Sequence, residues 1–324
     1  NLIKMENAKE GADQNFYFNV LPIADVNNAE DFEEAIKDEN IEVINLTQDV
    51  TVENAITLDK KVTINGNGAT LAKGLNITGN DVTIKDVVIN DKVTVSGKNA
   101  VLDELEITNF ATGSTVSKPS GVAVIKVDTE GEFTLTNSKI SNVTGTAYNL
   151  IDIATPSAVI IENNVFGEDD KDLAGIYNLI EFGQGENEEV KDGTIIRNNE
   201  FNTKSRNNTI SMFKIEDGAT ITIENNTFAF SNNAMRLSNY NNASATFNIY
   251  NNTILSGTTD NFGGFICFQA VGETAPAHAD TYFANYTINV KNLIGTDGQK
   301  INTIEGEGTG ANRLGYYYAD YTAD

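Results

Sequence analysis

Ile223-Glu224-Asn225-Asn226-Thr227-Phe228 is one printing of a phrase that recurs down the chain. The others are Leu135-Thr136-Asn137-Ser138-Lys139-Ile140, Ile161-Glu162-Asn163-Asn164-Val165-Phe166, Ile196-Arg197-Asn198-Asn199-Glu200-Phe201 and Ile249-Tyr250-Asn251-Asn252-Thr253-Ile254. A shorter copy stands at Val290-Lys291-Asn292-Leu293-Ile294. The leading asparagines, Asn137, Asn163, Asn198, Asn225, Asn251 and Asn292, are separated by 26, 35, 27, 26 and 41 residues. Self-similarity at this period marks a solenoid, whose units bury their apolar faces only against their neighbours.

The units are strands. Thr220-Ile221-Thr222-Ile223 and Thr246-Phe247-Asn248-Ile249 alternate polar and apolar residues at period two. A second apolar run precedes each phrase: Val122–Val127, Tyr148–Ile153, Tyr177–Phe182, Ser211–Glu216, Ala234–Leu237 and Gly264–Gln269. Gly, Asn and Asp separate the runs, as turns require. Upstream, Ile44, Ile64, Ile84 and Leu102 open comparable strands at steps of 20, 20 and 18, leaving little room for loops. The later units are longer, so their extra residues bulge from the coil, and such insertions tend to share a binding face.

The asparagines have a backbone reason. A sharply turning coil needs residues that tolerate left-handed φ and ψ, and Asn follows Gly in that tolerance. Stacking at about 4.8 Å then lets their amides bond along the rod as a ladder, and Asn137, Asn163, Asn198, Asn225, Asn251 and Asn292 are the expected members.

Taken together, the run Ile41–Leu46, the phrase Val62-Thr63-Ile64-Asn65-Gly66-Asn67-Gly68-Ala69-Thr70-Leu71 and the later Asn-Asn coils resemble the right-handed parallel β-helix of the pectate-lyase-like superfamily. The resemblance covers about residues 29–295. It implies an all-β, single-stranded solenoid with a short capping helix at Ala29–Ile36, and a fold shared by enzymes, adhesins, surface-layer proteins and phage tailspikes. The expected organisation is an N-terminal arm or lid (1–28), a capping helix (29–40), the β-helix (41–295) and a C-terminal cap or interaction tail (296–324).

Charge narrows the partners. Lys plus Arg number 22 against 46 Asp plus Glu, a net charge of −24. Phosphate binding needs a basic patch and none appears, so nucleic acid is excluded. No run reaches the length of a membrane span. The single cysteine, Cys267, sits in an apolar alternation and reads as core, and no disulfide within the chain is possible.

A β-helix exposes apolar cross-sections and strand edges at its ends, which must be covered. Phe32, Ala35 and Ile36 share one face of the capping helix, with Asn28 or Asn27 as its N-cap. Phe16, Tyr17 and Phe18 in the arm, and Tyr316, Tyr317, Tyr318 and Tyr321 in the tail, are the candidates for lids or for contacts with other subunits.

The resemblance implies, for lyases, calcium held by carboxylates with an Arg or Lys base, and for hydrolases clustered aspartates with a His. Here only Arg197, Arg206, Arg236 and Arg313 are arginines, and the one histidine, His278, lacks catalytic neighbours in sequence. The loop Glu168-Asp169-Asp170-Lys171-Asp172 could hold Ca²⁺ through Glu168, Asp169, Asp170 and Asp172, the one cofactor in prospect, with Glu186-Asn187-Glu188-Glu189 beside it. Asp170, Lys214 and Arg236 are the only catalytic candidates; Lys214 and Arg236 are expected at a similar phase of consecutive strands. The reading is a non-enzymatic structural and adhesive β-helix, extracellular, on a cell surface or on a virion, meeting subunits or surface glycans. The alternative is an extracellular polysaccharide lyase or glycoside hydrolase.

Overall fold

The computed structural model describes residues 22–115, 122–154, 158–169, 171–183, 188–257, 264–271, 283–301 and 315–320. They form a parallel β-helix with a single α-helix among the described residues. One sheet has sixteen strands and the other ten, and each named strand pairing is parallel.

Each successive coil lays its residues on those of the last, in register. Ile44, Ile64, Ile84 and Leu102, spaced as the sequence demanded, stand on one another and continue through Leu135, Ile161, Ile196, Ile223, Ile249 and Val290. All but Val290 are at most 1% exposed. The second inner column of this sheet runs Leu71, Ile89, Ile107, Ile140, Phe166, Phe201, Phe228 and Ile254. Phe166, Phe201 and Phe228 stack face to face with centroids 4.9 and 5.0 Å apart. Full burial of each ring contributes roughly 1.5–3 kcal/mol before stacking is counted.

Between these two columns the chain must turn, and the turn residue is left-handed on every later coil. Asn137, Asn163, Asn198, Asn225, Asn251 and Asn292 have φ between 52° and 58°. Glu104 and Asp86 take the same conformation one and two coils before Asn137, without an asparagine to announce it.

The expected ladder is therefore displaced by one residue. The leading asparagines form a column at the rim, and amide contacts join only parts of it: Asn163 donates to Asn137 (3.2 Å) and Asn292 to Asn251 (2.9 Å). Asn198 Nδ2 donates instead to Glu162 (3.4 Å) and Asn137 Nδ2 to Asp103 (2.7 Å). The continuous ladder belongs to the second asparagine of each pair. Asn164 Nδ2 donates to Asn199 Oδ1 (3.0 Å), Asn199 to Asn226 (3.0 Å) and Asn226 to Asn252 (3.1 Å). All four are 1% exposed.

Each interior amide is saturated. Asn199 Nδ2 also donates to Ile161 O (2.8 Å), while Asn199 Oδ1 accepts from both Asn164 Nδ2 and the Asn164 backbone amide (3.0 Å each). Asn226 repeats this with Ile196 O and Asn199 N. Ser138 starts the ladder, donating to Thr136 O and accepting from Leu105 N, and below it Val87 and Leu105 fill the same column with aliphatic side chains.

The ends follow from the same geometry. Asn28 Oδ1 accepts from Asp31 N (2.9 Å) to start the helix Ala29–Lys37, whose Phe32 and Ala35 are buried. Lys60 reaches the helix C-terminus and bonds Ala35 O (3.3 Å) and Ile41 O (3.0 Å), placing a cation at the negative end of the dipole. The sheet starts earlier than expected: Ile23–Val26 pairs in parallel with Val43–Leu46. At the other end Gly315–Asp320 pairs with Gly264–Val271. In the short coils, a Cβ on Gly97 would lie 1.8 Å from Gly79 O, so glycine is needed for the coils to touch.

The ladder predicts opposite outcomes for adjacent residues. Asn226→Ala strands the Asn199 amide donors and should cost about 3 kcal/mol or more. Asn225→Gly, freed of the left-handed penalty, should stay within about 0.5 kcal/mol of the parent. Urea unfolding followed by circular dichroism measures both, and equal effects would refute the assignment of interior and rim.

Candidate functional site

Two outward faces are candidates, one on each sheet. On the larger sheet a column of polar side chains climbs the rod: Asp25, Asn45, Asn65, Lys85, Asp103, Thr136, Glu162, Arg197, Glu224, Tyr250 and Lys291. Most of its members pair with a neighbour, although Arg197 Nε is buried without a partner. Asn45 donates to Asp25 and Asn65 to Asn45 (2.9 Å each), Lys85 pairs with Asp103 (3.4 Å), Arg197 with Glu162 (2.9 Å), and Lys291 Nζ lies 4.9 Å from the Tyr250 ring centre. Burial pushes the Asp103 carboxyl up, but hydrogen bonds from Asn137, Thr136 and Lys85 outweigh it and hold it below its ordinary value. This face is a set of cross-strand pairs, each worth a fraction of a kcal/mol to about 1 kcal/mol.

The second face lies outside the smaller sheet. Lys126, Asp152, Glu181, Ser211, Arg236 and Cys267 occupy one register position on successive strands. Their neighbours in sequence, such as Ile151 and Ile153 or Ile180 and Phe182, are core, so alternation turns this column outward. Leu150 and Ile151 are consecutive and both in the core, so the strand bends there and Asn149 shares the outward face. Asn149, Asn178, Asn208 and Asn233 make a second amide ladder, with steps of 3.3, 3.4 and 2.9 Å.

Glu181 is the focus of this face. It is 2% exposed and accepts from Asn178 Nδ2 (2.7 Å) and Asn149 Nδ2 (3.1 Å). Burial pushes its carboxyl from 4.5 up to about 7, against the two amides and Arg236, with the Asp152 charge adding to the rise. Burial likewise raises Asp152 above its ordinary value, opposed by Lys126. Arg236 lies 4.4 Å from the Phe213 ring centre, and Phe213 meets Tyr240 edge-on at 5.5 Å. The sequence carried a signal for this cluster: Tyr148-Asn149-Leu150-Ile151-Asp152 and Tyr177-Asn178-Leu179-Ile180-Glu181 repeat an acid inside an apolar strand at one phase.

The acidic loop chosen from sequence has other employment. Glu168 pairs with Lys139 (2.7 Å), Asp172 accepts the backbone amides of Asn142 (2.6 Å) and Glu168 (2.9 Å), and Asp169 accepts that of Lys171 (2.8 Å). These carboxylates border a shallow depression of about 500 Å³ with Asn109 and Asn142. Among the described residues no three Asp, Glu, His or Cys side chains are grouped to hold a metal ion. Asp170, His278, Phe16, Tyr17, Phe18 and Tyr321 lie outside the described residues. Glu189 pairs with Lys191 (3.3 Å) and accepts from Asn241 (3.3 Å).

Lys214 and Arg236 do not share a phase. The strand expected at Ser211–Glu216 is Asn208–Met212, and its register sets Arg236 opposite Ser211. Lys214 comes after that strand has ended, and its carbonyl accepts from Val190 N (2.9 Å). Cys267 is buried, but in the outward column opposite Arg236 and not among the residues of the core cluster. Tyr316, Tyr317 and Tyr318 stand in the terminal strand opposite Cys267, Phe268 and Gln269.

A sequence comparison adds to the coil geometry. Residues 23–167 match the family model described as "Putative pectate lyase-like adhesive domain". The match begins with the first strand of the larger sheet and ends just past Phe166. No curated protein matches the chain. The resemblance to pectate-lyase-like β-helices thus stands on sequence and on fold, and the matched kind of domain is adhesive. In the matched segment the Thr63–Leu71, Thr83–Ile89 and Ala100–Ile107 strands carry the tight coils; Lys126, Asn149 and Asp152 of the second face lie inside it, and Glu181, Ser211 and Arg236 beyond it. No helix among the described residues is long and apolar enough to cross a membrane.

The Glu181 carboxyl makes stability depend on pH. Its folded value lies above its unfolded one, so the native state holds the extra proton between about pH 4.5 and 7. The contribution is complete below the unfolded value and is lost as pH rises through the folded one. Over that window stability should fall by up to about 3 kcal/mol, and Glu181→Gln should flatten the fall. Urea midpoints at pH 4.5 and 7.5 for both proteins check this; parallel profiles would contradict it.

Proposed function

We propose that the chain is a non-enzymatic structural and adhesive β-helix, working outside the cell on a cell surface or on a virion and offering a lateral face to a partner or glycan. The observation that carries this reading is the match of residues 23–167 to an adhesive domain on a rod whose outward charges are paired with neighbouring coils. Stiffness follows from the same pairing: each coil is held by backbone bonds and stacked core side chains, and the later coils by two amide ladders as well. Such a rod spaces a contact from its anchorage with no cofactor. The terminal segments bearing Tyr316–Tyr318 remain our proposal for contacts with other subunits.

A second reading is favoured by one observation. Asp152 and Glu181 stand on adjacent strands with both carboxyls raised, and Arg236 follows two strands on. Paired carboxyls at neighbouring-strand spacing can serve glycoside cleavage as acid and nucleophile. That reading is a polysaccharide lyase or hydrolase.

One experiment separates them. The full chain is incubated with polyuronates and neutral glycans, with and without Ca²⁺, and unsaturated products and reducing ends are followed; beads carrying it are washed over the same glycans immobilised. Adhesion without product is expected. Turnover abolished by Glu181→Gln would transfer the assignment to the second reading.

A further inference from the structure

Eight Asn-X-Ser/Thr triplets occur in the chain, and the coil geometry divides them. The triplet is the acceptor motif for N-linked sugar, joined to Asn Nδ2 by an enzyme that also reads the hydroxyl two residues on. In five triplets that hydroxyl already donates within the rod. Thr47 donates to Val26 O (3.0 Å), Thr78 to Leu58 O (3.3 Å), Thr144 to Phe110 O (3.4 Å) and Ser244 to Asp217 (2.5 Å). Thr209 is fully buried and reaches Ala229 O (3.5 Å). Of the asparagines leading these five, Asn45 Nδ2 is held by Asp25 (2.9 Å), Asn142 Nδ2 by Asn109 and Asn207 Nδ2 by Asn178 (3.2 Å). The remaining two leaders are Asn76 and Asn242.

Three triplets differ. Asn225, Asn251 and Asn285 are exposed, and among the described residues their Nδ2 groups and the hydroxyls of Thr227, Thr253 and Thr287 donate to no partner. Asn251 Oδ1 accepts from Asn292 (2.9 Å), which uses the oxygen and leaves the nitrogen. Thr227 stands opposite Thr253 in register, and the residues after them, Phe228 and Ile254, are core, so alternation turns both hydroxyls outward. The rim column sharpens the contrast. Asn137, Asn163, Asn198 and Asn292 share the left-handed bend but lack the motif, and their Nδ2 groups donate to Asp103, Asn137, Glu162 and Asn251. Within that column the two asparagines that carry the motif are the two whose nitrogens the fold leaves to solvent.

We propose that the later coils are N-glycosylated on the folded rod, at Asn285 and on the patch shared by Asn225 and Asn251. The co-substrate is a sugar carried on a polyprenyl diphosphate. Nδ2 bonds the anomeric carbon, the C–O bond to phosphate breaks, the diphosphate leaves with the electron pair, and a base takes the amide proton. Asn225 and Asn251 stand on adjacent coils at strand spacing, about 4.8 Å, so a sugar on either covers the same patch. The five engaged triplets stay bare, because the enzyme would have to break contacts between coils to reach them. The proposal goes beyond the adhesive reading and shares with it only a setting outside the cell.

Full-length protein purified from its native cells is digested, and its glycopeptides are sequenced by fragmentation that preserves the linkage. Sugar is expected on at least one of Asn225, Asn251 and Asn285, and on none of Asn45, Asn76, Asn142, Asn207 and Asn242. Bare asparagine at all three, or sugar at any of the five, would overturn the proposal. The variant Thr227→Val, Thr253→Val, Thr287→Val, made in the same cells, keeps every acceptor asparagine and should lose all sugar, while the matching Thr→Ser variant should keep it. Valine suits strand positions, and circular dichroism of both variants checks the fold. A folded valine variant that retains its sugar would contradict the proposal. The two readings fail separately: unmodified wild type that adheres to immobilised glycans loses these sites and keeps the adhesive function. Modified protein that adheres to none of them does the reverse.

Discussion

The structure depends on the left-handed turn at which each coil bends around its interior column. A parallel coil can repeat only if the same residue on each turn accepts positive φ, and in the later coils that residue is Asn. The bend drives the following side chain inward, among aliphatic and aromatic neighbours, where a polar group is tolerated only when fully bonded. Asn164, Asn199, Asn226 and Asn252 meet that condition because identical amides at strand spacing donate and accept along one line. Register is thereby pinned: a slip of one residue would put a rim asparagine inside and a bonded one outside.

That constraint explains why the two halves of the rod look different in sequence but not in fold. The early coils fill the inner position with Val87 and Leu105 and use Asp86 and Glu104 at the bend. At that inner position burial takes the place of the amide ladder, and their short turns leave glycines in contact. The later coils exchange aliphatic burial for an amide chain, which keeps the corner fixed while longer insertions leave the coil elsewhere. The polar face around Glu181 runs along these later coils, starting at Lys126, Asn149 and Asp152 inside the segment that matches the adhesive domain and continuing past it.

Period and register were legible because both are local: alternation sets the face, and the steps of 20, 20 and 18 place Ile44, Ile64, Ile84 and Leu102 in one column. The ladder was read one residue early because neighbouring asparagines are alike in composition; one serves backbone torsion and the other side-chain bonding. The strand at Asn208–Met212 was read three residues late because its Asn-Thr opening lacks an apolar cue. The contacts of the acidic loop were not legible in the sequence, since Asp172 accepts from Asn142 thirty residues upstream, a partner no local pattern reveals. Glu181 escaped notice because its importance lies in burial and in Asn149 on another coil.

Hydrogen exchange of the asparagine side-chain amides, resolved by NMR, tests the central claim most directly. The Nδ2 protons of Asn199 and Asn226 should exchange as slowly as core strand amides, while those of Asn198 and Asn225 exchange near solvent rates. Slow exchange at Asn198 and Asn225 with fast exchange at Asn199 and Asn226 would contradict the assignment of interior and rim on which the register rests.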